Sequence, residues 1–123
     1  MGFSAKDRVR SFGHAANGLR VLVAGQHNAW IHAALTLAAV GLGIALGISA
    51  LEWCVIVIAI ALVWLAEGFN TALELLADAA VPERDEKIGQ AKDTAAGAVL
   101  VAAIAAAIVG AIVFLPRLLA LAG

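Results

Sequence analysis

The run Trp53–Ala66 constrains this chain most strongly, because its 14 consecutive residues carry no charge and lead directly into Glu67. A helix needs about 20 mostly apolar residues to cross the hydrocarbon core of a bilayer. Counted from Leu51, a crossing helix must extend to about Asn70 and therefore include Glu67. The sequence thus predicts a membrane helix that holds a carboxylate near one boundary of the hydrocarbon.

Three transmembrane helices are predicted, at about 30–48, 51–78 and 94–115, and the second extends beyond the membrane into the cytoplasm. Pro116 is expected to discourage continuation of the third, because proline lacks a backbone N–H. Of the 123 residues, 63% are hydrophobic and 14% are charged, compared with about 45–50% and about 25% in soluble domains. A chain this small cannot bury so much apolar surface in one core, so the bilayer must act as its solvent.

The segment 4–25 predicts an amphipathic helix that lies in the membrane interface. Apolar residues recur in it at helical spacing, while arginines and Asn17 occupy other faces. A short cytosolic helix packed on the bundle is the alternative. Residues 1–123 are then expected to form one all-α membrane domain, with a surface helix followed by three transmembrane helices.

The basic residues predict the orientation of the chain. Four of the eight Lys and Arg precede the first span, three lie between the second and third, and only Arg117 lies on the opposite side. Since basic residues concentrate on the cytoplasmic side, the N-terminus and the 80–93 loop are expected in the cytoplasm. The net charge of −1 gives no broad electrostatic reason to expect nucleic-acid binding.

Small residues recur along two of the predicted spans and favour close packing of helices. They are Ala98, Ala102, Ala106 and Gly110 in the third span, and Gly43 and Gly47 in the first. Three thin helices enclose little interior for a site, so a homo-oligomer is expected. The alternative is that Ala and Gly are simply common in an Ala-rich chain.

Four polar residues, Glu67, Asn70, Glu74 and Asp78, fall within about 80° of arc on the second helix. Polar groups at membrane depth usually face a bundle interior or a polar cavity and are functional candidates. Carboxylates one to two turns apart can bind a hard divalent cation, and one at the lipid boundary suits a general base acting on a headgroup hydroxyl. For Glu74 and Asp78, a solvated helix face is the alternative.

Beyond this stripe, Pro82 is expected to end or bend the second helix, and Lys92–Asp93 immediately precede the third span. The Lys92 ammonium can contact phosphate oxygens, although a membrane anchor is an equal alternative. The sequence contains neither a G-x-x-x-x-G-K-[ST] loop nor a kinase-type glycine loop. These residues alone therefore do not predict a nucleotide site.

Two motifs together resemble those of the small integral-membrane bacterial diacylglycerol kinases and undecaprenol kinases. They are E-x-x-N-T-A-x-E-x-x-x-D at 67–78 and A-K-D-x-A-A-G-A-V-L at 91–100, and the resemblance extends back through S-F-x-x-A-x-N-G-L at 11–19. It covers nearly the whole chain. It implies a homotrimer in the bacterial inner membrane, with active sites built between subunits. These sites would transfer the γ-phosphate of MgATP to a membrane lipid alcohol at the cytoplasmic face.

The resemblance also implies roles for individual residues. Glu67 matches the family's proposed general base, and Glu74 matches a magnesium ligand. The positions that match polar residues at or near the nucleotide are Asn70, Asp78, Glu83, Arg84, Asp85, Lys92 and Asp93.

Two positions depart from the family pattern. Gln26 stands where the family usually has a glutamate that joins in binding the metal, and its amide oxygen can still coordinate Mg²⁺ but brings no charge. His14 stands where many relatives have a tyrosine near the nucleotide. His27 and His32, five residues apart, do not form a zinc pair and are interpreted as polar anchors at the interface.

The stretch Q-H-N-A-W-I-H at 26–32 is more similar to the N-x-x-I-H pattern of the undecaprenol kinase branch, which favours undecaprenol over diacylglycerol as acceptor. Two other functions are considered. A proton-coupled transporter would use Glu67 as its carrier group, but the acidic residues lie at one interface instead of the midplane. A catalytically impaired membrane assembly subunit is motivated by Gln26.

Overall fold

The computed structural model describes residues 2–123 and contains four α-helices. They are α1 (Ala5–Gly25), α2 (His27–Leu46), α3 (Ala50–Ala80) and α4 (Glu86–Ala122). Three of them, α2, α3 and α4, are long and apolar enough to cross a membrane. The predicted all-α architecture is confirmed, together with the number and order of the helices that are apolar enough to cross a membrane.

Side-chain caps explain where three of the helices begin. The Ser4 hydroxyl accepts a hydrogen bond from the Asp7 N–H at the start of α1, and Ser49 and Glu52 form a reciprocal capping box at the start of α3. At the start of α4, Asp85 Oδ1 accepts from the Ile88 N–H at 3.0 Å. Each cap satisfies backbone N–H groups that have no partner within the helix.

The fourth helix begins earlier than the sequence predicts. Because Asp85 caps it, Lys92 and Asp93 lie inside the helix instead of immediately before it, and the connection from α3 shortens to residues 81–85. The end of α3 at Ala80 agrees with the expected effect of Pro82. The residue before a proline avoids the helical conformation, and Val81 has φ −136° and ψ 76°.

The expectation that Pro116 discourages continuation is wrong, because α4 passes through this residue to Ala122. Proline removes one backbone hydrogen bond and crowds the preceding turn, but neighbouring helices can support such a site in a membrane helix. The next residue, Arg117, donates hydrogen bonds to Glu52 in the first turn of α3. This ion pair ties the end of α4 to α3 beyond the proline.

The α3–α4 pair makes the most extensive contact between helices. Near the α2–α3 turn, α2, α3 and α4 share an apolar cluster whose buried members are Ile48, Ile56, Val113 and Phe114. Gly47 makes the turn possible because its φ of 61° is a left-handed conformation that favours glycine. Many large apolar side chains on the other faces of α2–α4 are exposed in the single chain, so these faces are suited to lipid or to other copies of the chain.

Gly43 allows close packing between α2 and α3 at the apolar cluster. A Cβ added here would lie 2.7 Å from Cη2 of Trp53, whereas one added at Gly41 would meet no atom within 4 Å. Gly43→Ala is therefore expected to lower the free energy of unfolding by about 1–3 kcal/mol through overpacking. The measurement is thermal unfolding in detergent micelles, with Gly41→Ala as the matched control. Equal melting temperatures for the two variants would contradict this packing.

Candidate active site

Glu67 is the largest side chain that is fully buried within residues 2–123, with 1% of its surface exposed. Few side chains in this small helical bundle are buried, so the burial of a carboxylate needs a specific explanation. Burying an ionisable group is costly unless hydrogen bonds or charges compensate it. The neighbours of Glu67 therefore decide what this part of the bundle can do.

His32 of α2 supplies the contact to Glu67 of α3. Its Nε2 lies 3.2 Å from Glu67 Oε2, and only 11% of its side chain is exposed. With the proton on Nε2, the imidazole donates this hydrogen bond to the carboxylate. The contact crosses between two helices at a point that is almost inaccessible to solvent.

Further hydrogen bonds hold His32 in place. Thr36, one turn later in α2, donates its hydroxyl proton to the His32 carbonyl at 2.7 Å, and Trp64 of α3 donates its indole N–H to the Thr36 oxygen at 2.9 Å. The Trp64 ring also meets the imidazole edge to face, with 6.2 Å between ring centroids. Both the backbone and the ring of His32 are thereby positioned against α3.

Helix α1 covers the same end of the bundle. Leu22 of α1 and Ala29 of α2 are both buried. Gly68, directly after Glu67, faces α1, because a Cβ placed there would lie 3.9 Å from Leu22 Cδ2. Helix α1 thus packs against α3 beside Glu67.

Exposure increases along the predicted polar stripe of α3. Asn70 is 7% exposed, Glu74 is half-buried and Asp78 is exposed. The Asn70 amide donates to Glu74 Oε1 at 3.2 Å, and Lys92 of α4 donates to Asp78 Oδ1. The stripe therefore leads from a buried carboxylate to an exposed ion pair.

Three buried side-chain oxygens have no hydrogen-bond partner within the described residues: Glu67 Oε1, Asn70 Oδ1 and Thr71 Oγ1. Their spacing of three and four residues places them on one face of α3. Buried polar atoms are nearly always paired in folded proteins, so each unpaired one needs an explanation. A ligand that brings a hydroxyl or a cation would provide the missing partners.

The donor set fits a hard cation. Glu74 and Asn70 present a carboxylate and an amide oxygen within one hydrogen bond of each other, and Mg²⁺ prefers oxygen ligands. Across residues 2–123, no three His, Cys, Asp or Glu side chains gather as a metal site. Mg²⁺ commonly takes part of its coordination from substrate phosphates and water.

The remaining predicted site residues make fewer contacts with the polar stripe of α3. His14 is exposed on α1, and Gln26 is half-buried at the junction of α1 and α2 without its side chain capping α2. Four others are exposed: Glu83, Arg84 and Asp85 before α4, and Asp93 within it. Over the part of the chain described, the structure joins Asn70 to Glu74 and Asp78 to Lys92, but joins neither His14 nor Gln26 to the stripe by a side-chain hydrogen bond.

His32 was not predicted to belong to the site, and the structure pairs its side chain with Glu67. One signal was present in the sequence, because a histidine inside an apolar span is a functional candidate by default. Thr71 was missed as well, since threonine is common in membrane helices without any special role.

Comparison of the sequence with known families identifies a group of related proteins. The family model for prokaryotic diacylglycerol kinase matches residues 13–114, which include every site candidate. The chain is 35% identical over 109 residues to the undecaprenol kinase of Bacillus subtilis, covering 89% of each chain. It is 40% identical over 112 residues to a diacylglycerol kinase of Synechocystis, covering 90% of this chain and 64% of that protein. The predicted resemblance is thus confirmed, and the chain belongs to the prokaryotic diacylglycerol kinase family.

Proposed function

We propose that this chain transfers the γ-phosphate of MgATP to the hydroxyl of a membrane lipid alcohol, with undecaprenol favoured over diacylglycerol. A lipid kinase is the function of the family to which the chain belongs, and this membership sets aside the proton-coupled transporter. The observation that carries the proposal is the buried Glu67 carboxylate, which has one oxygen without a partner among residues 2–123 and lies in a helix apolar enough to cross a membrane.

Glu67 acts as the general base in this proposal. Its Oε1 accepts the proton of the lipid hydroxyl while the hydroxyl oxygen attacks the γ-phosphorus. The bond from that phosphorus to the β,γ-bridging oxygen breaks, and ADP leaves with the bonding electron pair. Such a reaction depends mainly on positioning and on neutralising charge, so a compact site is sufficient.

Glu74 and Gln26 are the residues that would hold Mg²⁺, and Asn70, which is hydrogen-bonded to Glu74, would offer a further oxygen ligand beside the nucleotide. The bound ion would supply neutralisation of the phosphate charge. In the described residues, Glu74 Oε1 accepts a hydrogen bond from the Asn70 amide N–H, which keeps the two side chains together. This proximity of Asn70 and Glu74, one to two turns from Glu67 on α3, supports the proposed metal end of the stripe.

Lys92 is proposed to contact the phosphates of ATP. Its partner Asp78 is 68% exposed, and exposed ion pairs contribute only about 0–1 kcal/mol. Lys92 can therefore exchange Asp78 for a phosphate oxygen at little cost. The exposed residues Glu83, Arg84, Asp85 and Asp93 complete the proposed nucleotide side.

A homotrimer in the bacterial inner membrane, with the N-terminus and the site on the cytoplasmic side, completes the proposal. Its support lies in the exposed apolar faces of α2–α4 and in the basic residues before α2, in the 81–85 connection and in the first turns of α4. Since His14 and Gln26 are not bonded to the stripe of their own chain, they are proposed to act in sites shared between subunits.

The preference for undecaprenol is supported by two observations. Residues 26–32 follow the pattern of that branch, and the Bacillus subtilis relative carries that name over 89% of both chains. A groove of about 350 Å³ between α2, α3 and α4 starts at His32 and Thr36 and is otherwise lined by apolar residues. It is suited to the hydrocarbon chain of either acceptor, so diacylglycerol remains the alternative.

Purified protein in mixed lipid micelles is expected to incorporate ³²P from γ-labelled ATP into undecaprenol faster than into diacylglycerol. Both acceptors are compared side by side at equal mole fraction, over a range of Mg²⁺ concentrations. Faster labelling of diacylglycerol would reverse the acceptor assignment. Failure to label any lipid alcohol would leave the catalytically impaired subunit as the better description.

Glu67→Gln is expected to lower kcat by about 10²–10⁴-fold, because the amide cannot accept the proton of the hydroxyl. The oligomer should remain intact by size-exclusion chromatography, since the amide fills the same space. Glu86→Gln is the matched control, because this exposed residue lies outside the proposed site and should keep full activity. Near-normal turnover of Glu67→Gln would remove Glu67 from the role of base.

Gln26→Glu is expected to lower the Mg²⁺ concentration needed for half-maximal activity, because it adds a charged oxygen ligand. The titration is run beside Gln90→Glu, which adds the same charge at an exposed position of α4. An unchanged Mg²⁺ requirement, or the same change in both variants, would mean that residue 26 is not a metal ligand.

A further inference from the structure

We propose that His32 is a positioning residue for Glu67. It holds the carboxylate through Oε2, so that Oε1 is the oxygen left to receive the proton of the lipid hydroxyl. This inference rests on the proposed role of Glu67 as the base and adds a residue to it.

The two oxygens of Glu67 differ in their surroundings. Oε2 lies 3.2 Å from His32 Nε2, whereas Oε1 is buried and has no protein partner within residues 2–123. A glutamate side chain has three rotatable bonds, and the single hydrogen bond from His32 selects one orientation among those that the packing permits. Errors of about 1 Å in the position of a reacting group can reduce a rate by about 10²-fold, so such a restraint matters.

His32 is itself restrained by neighbouring contacts between α2 and α3. Two parallel contacts join α2 to α3, one from Trp64 to Thr36 and the other between Glu67 and His32. Trp64 and Glu67 are three residues apart on α3, and His32 and Thr36 are four apart on α2. The two residues on each helix therefore share one face of that helix. The edge-to-face contact with Trp64 restrains the imidazole plane as well. The imidazole is therefore a fixed donor, as a positioning group must be.

The test measures the kinetic effects of His32 variants. His32→Leu removes the hydrogen bond while keeping an apolar side chain, and it is expected to lower kcat about 10- to 100-fold. The KM for ATP should not change, because the contact lies at the lipid end of the stripe. His32→Gln, whose amide N–H can still reach the carboxylate, is expected to recover most of the lost kcat. His27→Leu, at an exposed position near the start of α2, is the matched control and should behave as wild type.

Size-exclusion chromatography and melting temperature are measured for every variant, so that folding is separated from catalysis. If His32→Leu does not fold, His32→Asn decides the question, because its shorter side chain is polar but cannot reach Oε2. A wild-type kcat in His32→Leu or His32→Asn, while Glu67→Gln is inactive, would overturn the positioning role and leave the proposed function standing. An equal loss in His32→Leu and His32→Gln would also overturn it, because the donor would then not matter. Activity in Glu67→Gln would instead show that the proposed base is wrong.

Discussion

The rest of the candidate site depends on one hydrogen bond between an imidazole and a carboxylate inside an apolar bundle. Because a buried carboxylate is costly without a partner, the contact between His32 and Glu67 restricts how α2 can lie against α3. The neighbouring contact between Trp64 and Thr36 has the same consequence one turn away. Helix α1 then closes this end of the bundle with Leu22. Helices α1 and α2 thus both pack against α3 at the end of the bundle where Glu67 is buried.

A single helix face accommodates two environments because exposure changes along it. The buried Glu67 is suited to an acceptor that arrives from the lipid, and the exposed Asp78–Lys92 pair is suited to a nucleotide that arrives from water. Glu74 and Asn70 lie between these ends. In the proposed reaction, the order of residues along α3 is also the order of the reacting parts, from lipid hydroxyl through metal to phosphates.

The sequence was most informative where a single helix determines the outcome. The apolar runs predicted the three membrane-spanning helices, and the 100° rotation per residue predicted that Glu67, Asn70, Glu74 and Asp78 share one stripe. The sequence was less informative about where helices begin and end, because individual side-chain contacts determine those positions. The Asp85 cap starts α4 before Lys92, and the bond from Arg117 to Glu52 supports a helix end that Pro116 was expected to oppose. The place of His32 could not be predicted, because its contact with a residue 35 positions away depends on the packing of two helices.

The contact between His32 and Glu67 is tested most directly by solid-state NMR of the active protein in lipid bilayers. The chain has only three histidines, so the imidazole signals can be assigned with His14 and His27 variants. The dipolar coupling between ¹⁵Nε2 of His32 and the ¹³C carboxyl carbon of Glu67 reports their separation. A coupling that corresponds to the 3.2 Å contact between Nε2 and Oε2 is the expected result. No detectable coupling in catalytically active protein would contradict the pairing on which the candidate site depends.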